Sequence, residues 1–261
     1  EAYRDRRGLP ALDWLVRDLM HGTRALARNP GFSLAGILIL GLGIGVNSAI
    51  FTLVNAVVLQ PLPFADGERI MRLWHTPPQA TFAGMRVFSL SPANFLDWEA
   101  GSRSFDRMAI YGGGRRTLTG QGEPDAVSTV RASASFLPVF GLTPVVGRTF
   151  TSDDDREGPP DTVLITESYW RSRFGADPAI VGRSIMLDLA PHTVIGVVPA
   201  PSFLDDIKLW LPLHWTAAER ALRADHNYRA VAKLKAGVSV AEAQADLDAI
   251  SRRLAEAYPA E

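Results

Sequence analysis

The residues with the clearest potential for chemistry are Asp153, Asp155, Glu157 and Gly158, which open in the manner of a calcium-binding loop. Such a loop closes on a bidentate Glu at its twelfth position. Here that position is Leu164, so an ion would lack its closing ligand, and Asp153–Asp155 read as a solvated turn. The histidines His21, His75, His192, His214 and His226 are scattered without a His-x-x-x-His pair, and cysteine is absent, which leaves zinc no ligand set. Asp205 and Asp206 are adjacent, and adjacent side chains on a strand point to opposite faces, which argues against a shared carboxylate site. No Gly-x-Ser-x-Gly turn offers an activated serine. Gly41-x-Gly43-x-Gly45 has the outline of a dinucleotide loop but no strand before it and no third glycine at the required spacing, and Gly-Lys-Ser/Thr occurs nowhere. The aromatic residues Phe95, Trp98, Trp170 and Trp210 suit core positions. The reading is a chain that is not an enzyme, with no catalytic, cofactor-binding or metal residues and no nucleotide bound by the chain itself.

The elements explain why such residues are lacking. From Phe32 to Leu59 there are 28 consecutive positions without a charge. About 20 apolar residues in a helix cross roughly 30 Å of hydrocarbon, so this segment is long enough to span a membrane. Asn29 and Pro30 supply its start as N-cap and first helical residue, and Pro61 and Pro63 its stop. A buried core helix of a soluble domain is the competing reading. Arg4, Arg6, Arg7, Arg17, Arg24 and Arg28 precede the segment, while Asp66, Glu68, Arg69 and Arg72 after it nearly balance. Arginine excess marks the cytoplasmic side, which places the N-terminus in the cytoplasm and the residues after about 62 outside, in a periplasm or its equivalent.

Leu12, Leu15, Val16, Leu19 and Leu26 recur at helical spacing, so the stretch Leu12–Ala27 reads as an amphipathic helix lying along the membrane surface, with Trp14 at the interface, or else packed on another subunit. Within the apolar segment, Gly41, Gly45, Ser48, Ala49 and Thr52 share one narrow sector of a helix, a stripe that lets a second helix approach closely. Asn47 stands near the midpoint, where an amide facing lipid lacks partners, so it is expected to meet another helix. Gly41, Gly45, Asn47, Ser48 and Thr52 are therefore helix-packing candidates. The competing reading is a monomeric anchor that tolerates glycine.

About 200 of the 261 residues follow the apolar segment, and 47% hydrophobic content supports a packed core. A formal net charge of −1 gives no basic face for nucleic acid. The pattern predicts strands at Arg69–Trp74, Met108–Gly112, Arg116–Thr119, Ala126–Ala132, Val163–Thr166, Leu209–Leu213 and Tyr228–Lys235, with a break at Gly112-Gly113-Gly114. It predicts a hairpin of Ser184–Asp188 with Thr193–Val198 across Leu189–His192. Helices are expected from Ser91-Pro92 to Ala100, at Ser135–Phe140 and Glu167–Phe174, and from a Ser239 cap to Tyr258 with Ala243, Leu247, Ile250 and Leu254 inward. The fold class is α+β, a split sandwich carrying a second, β-rich subdomain. The chain ends where that sandwich would take a last strand, so a fragment of a longer protein is expected.

Several phrases together resemble one family: Asp18–Phe32, Gly41–Leu62, Ser91–Trp98, Phe136–Phe150, Trp170–Gly182, Tyr228–Val238 and Gln244–Tyr258. They are similar to the permease subunits of MacB/FtsX-type ABC transporters, and especially to the duplicated orphan permeases. The resemblance implies a cytoplasmic amphipathic segment (1–29), one transmembrane helix (30–61), a porter-like periplasmic subdomain (62–142 and 226–261) and an inserted β-rich subdomain (143–225). It implies a bacterial inner-membrane location and a permease role, coupling a separate ABC-type ATPase subunit to periplasmic motion. The implied partners are that ATPase, other permease helices or a second permease copy, and membrane lipid, with no cofactor in this chain. The rival classes are a stand-alone membrane-anchored binding or sensor module, and a membrane-anchored enzyme.

Overall fold

The computed structural model describes residues 10–54, 64, 66–77, 83–120, 123–156, 158 and 161–259, the side chains of 10–13, 15, 16, 19, 25, 53 and 54 excepted. The chain divides into two units, Glu1–Pro61 and Leu62–Glu261.

The first unit is a pair of helices, α1 (Pro10–Arg28) and α2 (Pro30–Val54). Asn29 separates them as the sequence requires: its carbonyl accepts the amide of Ser33 at 3.0 Å, the first bond of α2. Ser33 Oγ donates back to the carbonyls of Leu26 (2.8 Å) and Asn29 (3.0 Å), which ties the two helix ends together. The residues Pro30–Thr52 are long and apolar enough to cross a membrane. The expected stop at Pro61 and Pro63, the arginines before Pro10 and the inward face of Leu12, Leu15, Val16 and Leu19 lie outside the described residues and side chains.

The second unit is built on β1 (Ile70–Leu73), α3 (Pro92–Gly101), β2 (Phe105–Thr119), β3 (Asp125–Ala132), α4 (Phe136–Val139), β4 (Val146–Gly147), β5 (Thr162–Thr166), α5 (Glu167–Phe174), β6 (Ser184–Leu187), β7 (Ala190–Val198), β8 (Leu209–Pro212), α6 (Ala217–Arg220), β9 (Arg229–Leu234) and α7 (Val240–Ala257). Its strands form one sheet in the order β1-β9-β2-β3-β8-β5-β7-β4, with β6 joined to β2 and β7. The β3–β8 and β5–β7 pairs are parallel and the others antiparallel.

Two local expectations are corrected. The glycines 112–114 do not break a strand, because β2 runs through them and keeps its ladder with β3 from Tyr111 opposite Ala132 to Leu118 opposite Asp125. Glycine is a weak strand former in isolation, but pairing on the sheet decides the conformation. A Cβ at Gly112 would sit 3.1 Å from the Tyr228 ring, so the small residue admits that ring. The hairpin also turns earlier than expected. Ala190, Pro191 and His192 pair with Leu187, Met186 and Ile185, and the turn is Asp188-Leu189. Both turn residues have positive φ, 49° and 69°, the twist that a two-residue hairpin needs. The residue types hide it, since asparagine or glycine normally signals that turn.

Three apolar clusters fill the unit. One gathers Leu90, Phe95, Trp98, Phe105, Ala232 and Leu247, joining α3 and α7 to β1, β2 and β9. A second gathers Val163, Ile165, Trp170, Ile185, Val194 and Leu209 with Leu118 and Val127. A third, containing Tyr111, Phe136, Phe140, Phe150, Leu164 and Trp210, draws from both sides. Phe95, Trp98, Trp170 and Trp210 are buried as expected. On α7, Ser239 and Glu242 form a reciprocal capping box, Ala243, Leu247 and Ile250 are buried, and Leu254 is partly buried.

Candidate functional site

Gly41, Gly45, Asn47, Ser48 and Thr52 all lie on α2 and are exposed. At 100° per residue, Gly41, Gly45, Ser48 and Thr52 fall within about 60° of one another, whereas Asn47 stands about 120° from Gly41. The helix therefore separates them: four share the stripe and Asn47 faces elsewhere. Gly36 and Gly43 stand within about 40° of Asn47. That second face was legible from the same angular arithmetic, but the sequence reading tracked only the stripe. A Cβ at Gly36, Gly41, Gly43 or Gly45 would meet nothing within 4 Å, so both faces are open to a neighbour. Thr52 Oγ1 donates to the Ser48 carbonyl at 2.8 Å, which satisfies that hydroxyl within the helix.

The second unit contains a charged cluster that sequence reasoning misread. Asp154 is 8% exposed, not solvated. Its carboxylate accepts both Arg148 Nη atoms (2.6 and 2.9 Å), the Thr151 amide and hydroxyl (2.8 Å each) and Thr162 Oγ1 (3.2 Å). Burial by itself would raise its pKa; Arg148 and Thr151 override this and hold the carboxyl well below the usual range. Asp155 accepts the amides of Ala134 (2.7 Å) and Leu213 (3.1 Å), so it pins the β3–α4 turn to the end of β8. Its own pKa is raised, with burial outweighing those two donors. Only Asp153 has the exposed position expected, paired with Arg156 at 3.0 Å. The signal in the sequence was weak, because Arg148 and Thr162 meet Asp154, and Ala134 and Leu213 meet Asp155, only in the fold.

A second group of polar contacts holds α3 to α7. Asp246 accepts from Ser102 Oγ, the amides of Arg103 and Ser104, and Ser104 Oγ at 2.7–3.2 Å. Trp98 Nε1 donates to Ser251 Oγ at 3.1 Å. Nearby, the rings of His75 and His226 stack with centroids 5.5 Å apart, and burial followed by His226 lowers the His75 pKa. Among the described residues, no group of three or more histidine, cysteine, aspartate or glutamate side chains could hold a metal ion. The buried charges tie loops together instead of converging on a reactive centre.

The first unit thus supplies a helix able to cross a membrane, and the second a mixed α/β domain stiffened by structural ion pairs. The chain belongs to the MacB-like periplasmic core domain family, whose model matches residues 33–250. Two relatives are named macrolide export ATP-binding/permease protein MacB. The one from Chromobacterium violaceum is 32% identical over 113 residues, and that from Sodalis glossinidius is 28% identical over 219 residues. The matches take in 42% and 74% of this chain and only 17% and 32% of those proteins, so the chain spans less than a third of either. The fold is shared with the periplasmic region of MacB from Actinobacillus actinomycetemcomitans (TM-score 0.53, 18% identity, 71% of this chain and 84% of that one). It is also shared with a permease-protein domain from Porphyromonas gingivalis (0.56, 19%, 74% and 84%). The extracellular domain of the transporter YknZ from Gram-positive bacteria is alike as well (0.53, 14%, 74% and 96%).

Proposed function

We propose that this chain is the N-terminal part of a permease subunit in a MacB/FtsX-type export or mechanotransmission system, coupling a separate cytoplasmic ATPase to motion of the extracytoplasmic domain. The observation that carries the reading is the family match running from the apolar helix through the α/β domain, residues 33–250. In this reading the membrane is the bacterial inner membrane, the N-terminus is cytoplasmic and the residues after about 62 are periplasmic, on the strength of the arginine excess before α2. Helix α1 lies near the ATPase and α2 acts as a lever, stiff because its backbone bonds are satisfied internally. Gly41, Gly45, Ser48 and Thr52 receive one neighbouring permease helix or a second copy, and Asn47 faces another.

The exported unit divides in this reading into a porter-like part (62–142 and 226–261) and an inserted β-rich part (143–225). The α3–α7 cluster and the cluster around Val163 and Ile185 support that division, each drawing mainly on one part. ATP is bound by the partner. The test is affinity purification of the detergent-solubilised chain from its native host, with bound proteins identified by mass spectrometry. Recovery of an ABC-type ATPase is expected. A 28.4 kDa chain that repeatedly comes down with no ATPase overturns the coupling and leaves a membrane-anchored binding or sensor module.

A further inference from the structure

A cavity of about 550 Å³ opens where α3, the β3–α4 turn, the Thr151–Asp155 turn and the end of β8 meet. Its volume is in the range of small-molecule sites. The buried side chains of Phe150 and Trp215 form an apolar floor. Charges of both signs stand around it: Glu99 and Asp155, and Arg107 and Arg220. What distinguishes this cavity is that these charges do not neutralise one another. Among the described residues the exposed side chains of Glu99 and Arg107 have no hydrogen bond or ion pair with the protein, and Arg220 is engaged through Nε with the Trp215 carbonyl at 3.3 Å. The polar cavity beneath β6 and β8 is the reverse case. Its Arg116 and Asp188 (2.9 Å), His214 and Asp161 (3.4 Å), and Arg131 and Glu219 (3.9 Å) pair among themselves.

Glu99 lines the cavity and is exposed, yet enough protein surrounds its carboxyl to disfavour the charge. Burial, and then the charge of Asp155, raise its pKa, and whereas Asp155 is eased by the Ala134 and Leu213 amides and the charge of His214, no cation of the cavity relieves Glu99. A bound cation would. An anionic group would at the same time find the guanidinium of Arg107 without a partner, and an apolar body would cover the floor.

We propose that this cavity binds a small zwitterion: a molecule with an ammonium group received by Glu99 and Asp155, a carboxylate received by Arg107 and Arg220, and an apolar body lying on Phe150 and Trp215. The site is independent of any ATPase partner, so its failure would leave the permease reading standing.

The test uses the full chain in lipid nanodiscs, with empty nanodiscs as the partition control, titrated by calorimetry with 8-aminooctanoate, octylamine and octanoate. The expected dissociation constant of 8-aminooctanoate is about 1 mM, as its few heavy atoms allow. The two singly charged probes are expected to bind about tenfold more weakly. Glu99→Gln and Arg107→Gln should each weaken 8-aminooctanoate about tenfold and leave octanoate and octylamine, respectively, unchanged. Glu99→Gln removes a charge that burial disfavours, so that variant is expected to fold, and the comparison of probes needs no variant. Equal affinity for the three probes, affinity unchanged in both variants, or no heat above the empty-disc control at about 20 mM would overturn the proposal.

Discussion

Asp154 is the residue on which the turn after β4 depends. Five donor contacts converge on one buried carboxylate, and removing its charge leaves Arg148, Thr151 and Thr162 with one poorer acceptor between them. An Asn at this position keeps one oxygen and turns an amide toward donors, so Asp154→Asn is expected to destabilise the second unit by about 2 kcal/mol. The pH dependence has a definite sign. The folded carboxyl titrates below the ordinary value of 3.8, so its stabilisation is fully present above that value and is lost as the pH falls through the lower, folded pKa. The gap in thermal melting between the two proteins should therefore be widest at neutral pH and narrow progressively as the pH falls below the ordinary carboxylate range. A gap that persisted unchanged in acid would mean that the carboxylate charge is not what stabilises the turn. Asp155, with a raised pKa, carries the opposite electrostatic sign; its part is positional, through the Ala134 and Leu213 amides.

Helix α2 shows how an element can be competent for two contacts at once. Its 25 residues cover about 37 Å, more than the roughly 30 Å of hydrocarbon. In lipid the hydrophobic effect does not drive helices together, so close approach at small residues and interhelical hydrogen bonds decide association. The Gly41–Thr52 stripe offers the first and the Asn47 amide the second, about 120° apart. Replacing Gly41 and Gly45 together with leucine places two branched side chains on the stripe and should abolish disulfide crosslinking between cysteines engineered on adjoining membrane helices. A crosslinking yield equal to that of the parent protein would remove the stripe from the packing face. Asn47→Leu tests the other face separately, since it leaves the stripe intact.

For the whole molecule, the sheet matters most for what it joins. Strands β6 and β8, from the proposed inserted part, pair with β2 and β3 of the proposed porter-like part, so the second unit is hydrogen-bonded from β1 to β4 in one sheet. A push delivered to β1 or β9 would reach the inserted part through paired strands and not through a loose linker. That continuity suits a domain whose proposed task is to move as a body. The proposed orientation makes its own prediction: alkaline phosphatase fused after Tyr258 should be active in cells, and a cytoplasmic reporter at the same site silent. The opposite pair of results would reverse the topology.

Local and compositional features were legible without a structure because they depend on neighbours in the chain. The membrane helix follows from an uncharged run and its length, the ends of α3 and α7 from Ser91-Pro92 and the Ser239–Glu242 box, and α5 from a helix ended at Gly175 with φ 62°. The family resemblance rests on such phrases taken in order. What eluded the sequence depends on pairing and burial that residue types and spacing do not encode. The strand through Gly112–Gly114 is held by β3, the turn at Asp188-Leu189 is forced by the pairing of the strands on either side, and Asp154 is buried by partners from 148 to 162. The cavity between Glu99 and Asp155 brings together residues 56 positions apart, as the numbering itself shows. Propensity and spacing describe a chain's local free energy. Burial, and the ion pairs and cavities that burial creates, belong to tertiary packing, and only the fold decided them.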